Sequence, residues 1–129
     1  VLRHGTDITI VSYGPLIGNV LKAAEQLEEL GISVQVVKLN TITPIDSSMV
    51  IETVRDTGRL IVVEACSAAG SVGQRLSAAI AASGIRCEIR LMGNIERFVP
   101  HGTMKQLEEM LGIDSDSIVR TVREVLSNG

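Results

Sequence analysis

Tryptophan is absent from this 129-residue sequence, and Tyr13 and Phe98 are its only aromatic residues. Ring packing cannot carry the stability, so aliphatic side chains must build the core. Cysteine is almost as scarce: Cys66 and Cys87 are too few and too irregularly spaced for a disulfide framework or a zinc site, which points to a reducing compartment. There is no run of Lys or Arg and the formal net charge is -3, so the electrostatic footprint required by nucleic acid or anionic lipid is missing. No apolar stretch reaches the roughly 20 residues needed to span a bilayer, and no charged start precedes a greasy core as in a signal peptide. A cytoplasmic protein without nucleic-acid or membrane partners is expected.

What is present is ordinary globular composition, with 45% hydrophobic and 21% charged residues. The length suits a single domain, residues 1–129, with one buried core. The start, "VLRHGTDITIV", reads as half a hairpin. Val1 and Leu2 would end a strand, residues 3–7 would turn with Gly5 at a positive φ, and Ile8 would begin the returning strand. A chain that opens inside a hairpin is expected to be a fragment of a longer protein, or a small subunit.

Residues 7–12, "DITIVS", form a short β-branched run suited to a strand covered on both faces. From Leu16 to Leu30 the apolar positions Ile17, Val20, Leu21, Ala24, Leu27 and Leu30 recur at helical spacing, and Gly31 supplies the stop. Residues 32–39 read as a second strand, a helix capped by Asp46 runs through Val54, and residues 60–63 form a third strand. A helix over 71–83 and a strand over 85–91 follow. Two consecutive helices, 103–111 and 115–127, close the chain, the last with a stripe of Ile118, Val119, Val122, Val125 and Leu126. Strands alternating with helices imply right-handed crossovers and a largely parallel sheet with helices on both faces.

Open parallel sheets bind ligands beyond the carboxyl ends of their strands, which directs attention to the loops at 13–18, 40–46, 64–72 and 92–102. Gly14 and Gly18 lack the G-x-G-x-x-G spacing of a dinucleotide loop, and the second strand ends at Lys38-Leu39-Asn40 with no acid for a ribose. These glycines read as turn residues. Glu64 ends a strand at the ligand edge, with Cys66, Ser67 and Ser71 close behind, yet the only imidazoles are His4 and His101 and neither spacing suggests a triad. Glu64 is expected to bond loop amides instead, while Gly70 and Gly73 let the next helix start close to a neighbouring backbone. Phe98 reads as an anchor for its loop on the core or on another domain, Arg97 as an interface cation, and His101 as a turn residue rather than a phosphate contact. Neither a catalytic set nor a metal-ligating set emerges from the spacing.

At the level of segments, the chain resembles the C-terminal domain of the thiamine-diphosphate-dependent transketolase family. "VLRHGTDITIVSYG" is similar to that domain's opening, and "AAEQLEELGISVQVVKLNTITPID" to its helix, strand and T-x-x-P-x-D segment, with Pro44 and Asp46 in register. "RLIVVEACSAAGSVGQRL" resembles its strand, glutamate and glycine-bearing helix start. The tail from Glu96 to Ile118 most resembles 1-deoxy-D-xylulose-5-phosphate synthases and separately encoded transketolase C-terminal subunits. Relatives often carry His or Asn after the glutamate, a Gly-Gly-x-Gly stretch and an Asp in the tail, where this chain has Ala65-Cys66, Ala69-Gly70-Ser71-Val72-Gly73 and Glu96.

The resemblance implies a three-layer α/β/α fold around a mixed five-stranded sheet whose first strand is antiparallel. It also implies that thiamine diphosphate and Mg are bound by other domains of the parent enzyme and not by this one, whose role is assembly, as a homodimer and against those domains. Interface candidates are Glu64, Gly70, Ser71, Gly73, Arg97, Phe98 and His101, with no catalytic residue here. The β subunit of a 2-oxo-acid dehydrogenase, with this domain as an interaction module, is the alternative. An independent enzyme using the rim from Glu64 to Gly73 is a further one.

Overall fold

The β-branched run Ile8–Ser12 forms β1, and all five residues are buried. That is the burial a strand needs when sheet neighbours flank it and helices cover both faces. In the computed structural model, which describes residues 2–39, 47–66, 72–94 and 114–128, a 3-10 turn over Gly14–Leu16 leads into α1 (Ile17–Glu29). There follow β2 (Val34–Lys38), α2 (Ser47–Thr57), β3 (Arg59–Cys66), α3 (Val72–Ser83), β4 (Glu88–Asn94) and α4 (Ser115–Asn128). The sheet order is β2-β1-β3-β4, with every pairing parallel.

Side-chain alternation splits the core into two layers. Ile8, Ile10, Val34, Val36, Ile61 and Val63 face α1 and α4, whereas Val11, Val37, Leu60 and Val62 face α2 and α3. The α4 stripe falls where the periodicity places it: Ile118, Val122 and Val125 are buried, with Val119 and Leu126 packed beside them. In α1 the buried residues are Ile17, Val20, Ala23, Ala24 and Leu27. Leu30, expected in the stripe, is 55% exposed because the helix has already ended. Its stop is a paired one. Gly31, at φ 81, donates its amide to Glu28 O, and Ile32 donates to Leu27 O, which satisfies two carbonyls at the helix end.

Three expectations need correction. The opening segment does not pair with β1, whose two edges are already taken by β2 and β3. It lies instead along the free outer edge of β2, where Arg3 makes an isolated antiparallel bridge to Val36. Leu2 N donates to Val36 O at 2.9 Å and Val36 N to Arg3 O at 2.9 Å. The antiparallel fifth strand is thus reduced to that bridge, and among the described residues the sheet has four strands, all parallel. Gly5, finally, is not at a positive φ; the residues that are include Gly14, Gly31, Gly58 and Gly84. A Cβ on Gly5 would stand 2.3 Å from Val34 C and 2.5 Å from Gln35 N, so its glycine is required by close backbone approach.

Several boundaries also move, β3 running on through Cys66 and β4 through Asn94 where loops were expected. β4 starts three residues later than the apolar Ile85 suggests, because pairing begins where Glu88 N reaches Gly58 O at 3.1 Å. α2 continues past Val54 to Thr57, where Gly58 donates to Val54 O. The expected Asp46 cap and the helix over 103–111 lie outside the described residues.

Candidate functional site

The chain moves from β1 outward to β2 and then crosses back to β3, so the strand order reverses between β1 and β3. At the carboxyl ends of these two strands an open sheet leaves its natural crevice. Glu64 lies there, one step past Leu60 and Val62 in the alternation that faces α2 and α3. Its exposure is 0%.

Both carboxylate oxygens are engaged. Gly73 N, in the first turn of α3, donates to Oε1 at 2.9 Å, and the Tyr13 hydroxyl, just past β1, donates to Oε2 at 2.9 Å. Just before it, Ser12 Oγ donates to Val63 O at 2.7 Å and ties the two strands together. The carboxylate also lies against the positive end of the α3 dipole, which favours a negative charge. The expected bond from Glu64 to a backbone amide is present. The expected reason for Gly73 is not: a Cβ there would lie 2.6 Å from Leu91 Cδ2 and 3.1 Å from Glu64 Oε1, so the atoms that crowd the position belong to side chains and not to a neighbouring backbone.

This arrangement braces three elements. Glu64 exposes no surface, so any contribution to an interface passes through Tyr13 and the start of α3. His4 is at the other edge of the sheet, lining a depression of about 270 Å³ with Arg3, Glu28 and Ser33 near the amino end of β2. It cannot serve Glu64 as a catalytic partner. Gly70, Ser71, Arg97, Phe98 and His101 lie outside the described residues. Tyr13 was not singled out from the sequence as a site residue; its one signal was a lone tyrosine at the end of the central strand.

Among the described residues no group of three or more His, Cys, Asp or Glu side chains could hold a metal ion. The Gly73 amide at the start of α3 already serves a buried carboxylate. Replacing Tyr13 by Phe should remove one bond to the carboxylate and cost about 1–2 kcal/mol, read by urea denaturation. A cost near zero would mean that the hydroxyl does not hold Glu64.

Cys87 stands just before β4. Burial and the neighbouring Glu88 carboxylate push its thiol from 9.0 up to about 11, and its Sγ donates to Glu88 O. The folded state therefore holds the thiol proton more tightly than the unfolded state. Its contribution to stability is complete below pH 9.0 and is lost as pH rises through about 11. Iodoacetamide at pH ~8 should alkylate Cys87 more slowly in the folded chain than in urea, followed on the Cys87 peptide by mass spectrometry. Equal rates would contradict the raised value.

A family model described as transketolase, C-terminal domain, matches residues 1–118. The chain belongs to that family. Among curated members, the 1-deoxy-D-xylulose-5-phosphate synthase of Heliobacterium modesticaldum is 34% identical over 125 residues, covering 97% of this chain and 19% of the synthase. The pyruvate dehydrogenase E1 component subunit beta of Staphylococcus epidermidis is 41% identical over 85 residues, 66% of this chain and 26% of that subunit. A solved split-gene transketolase, described as an inactive beta4 tetramer, superposes with a TM-score of 0.87 at 28% identity, covering 98% of this chain and 41% of that one. This transketolase C-terminal domain therefore spans about a fifth of the length of the synthases it matches.

Proposed function

We propose that this domain is the C-terminal part of a thiamine-diphosphate-dependent transketolase-type enzyme, and that it assembles the enzyme without catalysing on its own. The supporting observations are the match of residues 1–118 to the transketolase C-terminal domain and the buried Glu64, whose carboxylate is held by Tyr13 and Gly73. The parent reaction is two-carbon transfer, or condensation of pyruvate with an aldehyde phosphate as the name 1-deoxy-D-xylulose-5-phosphate synthase implies. Similarity to such synthases over 97% of the chain supports the second. Bound to the other domains with Mg, thiamine diphosphate supplies the electron sink for bonds made and broken beside a carbonyl. The domain's partners are those thiamine-diphosphate-binding domains and a second copy of the enzyme. A cytoplasmic location belongs to the same reading; among the described residues no helix is long and apolar enough to cross a membrane.

Co-purification with a polypeptide carrying the thiamine-diphosphate-binding domains should give one complex that makes a deoxyketose phosphate from pyruvate and an aldehyde phosphate. Neither part alone should do so. Turnover by this chain unaided would overturn the proposal.

The 41% identity to a pyruvate dehydrogenase E1 beta subunit favours a second reading, in which the domain docks to the core of a multienzyme complex. Capture of the chain by a purified peripheral subunit-binding domain would select it. The synthase reading predicts no capture.

A further inference from the structure

We draw no further inference here: the strongest candidate, the groove of about 600 Å³ between the end of α3 and the start of β4 bordered by Ile80, Ile85, Cys87 and Ile89, carries none because nothing in the structure shows what covers it.

Discussion

Replacing Gly5 by alanine is expected to destabilise the fold by about 3 kcal/mol or more, near the upper end of what overpacking costs. At roughly 4 °C per kcal/mol, the thermal midpoint should fall by about 12 °C. The added methyl carbon would stand 2.3 Å from Val34 C, 2.5 Å from Gln35 N and 2.5 Å from Val34 O, all backbone atoms that cannot turn away. Relief requires the opening segment to lift from β2. That segment is held on both sides of Gly5. Before it are the Leu2 and Arg3 bonds to Val36 and the Arg3–Glu28 ion pair. After it, Asp7 N donates to Ser33 O at 2.9 Å, Ser33 N donates to Asp7 Oδ2 at 2.7 Å, and Thr6 N donates to Ser33 Oγ at 3.1 Å. Gly14→Ala is the control. It has open space around its Cβ but a φ of +64, so it should cost only about 1 kcal/mol. If the two variants have equal stability, the close approach of Gly5 to β2 is wrong.

Glu64→Ala should be comparably severe, at about 3–5 kcal/mol, because it removes a buried charged acceptor from two donors at once. Gly73 N has a buried environment and loses its partner, whereas the half-buried Tyr13 hydroxyl can turn toward water. Glu64→Gln should be much milder, at about 1–2 kcal/mol. Its carbonyl can still accept from Gly73 N, and its amide can donate to the Tyr13 oxygen, which is able to accept. The contrast separates a brace from a catalyst. For a brace, the alanine variant is far less stable in urea than the glutamine variant, and the enzyme assembled with the latter keeps most of its activity. For a catalytic acid or base, the glutamine variant folds normally and activity collapses.

How much of this was legible in the residues differs by element. The β-branched runs of β1 and β2 and the apolar core of β3 need no tertiary information, because strands buried on both faces are apolar throughout. α4 declares itself through its period. The register of β4 does not, since Ile85 is as apolar as any strand residue and only the Glu88 bond to Gly58 fixes where pairing starts. The first residues read as antiparallel and paired antiparallel, but their partner depended on which sheet edge stayed open, a property of the whole topology. Glu64 was recognisable at its strand end as an amide acceptor. Its second partner, Tyr13, is 51 residues away in sequence, and no local pattern links them. The two close-approach glycines were legible as glycines and misread in cause. Gly5 is small because the backbone of Val34 and Gln35 leaves no room, and Gly73 is crowded by the side chains of Leu91 and Glu64, facts not carried by the sequence around either glycine.

Tyr13 and Gly73 keep Glu64 as an internal brace between β1, β3 and α3, and an NMR titration of the ¹⁵N-labelled chain with thiamine diphosphate and Mg²⁺, following the Gly73 amide, tests that most directly. The amide should stay in place, with no saturable shift up to millimolar ligand. Saturation at micromolar concentration, with the Gly73 signal moving, would show that the carboxylate yields its place to the cofactor.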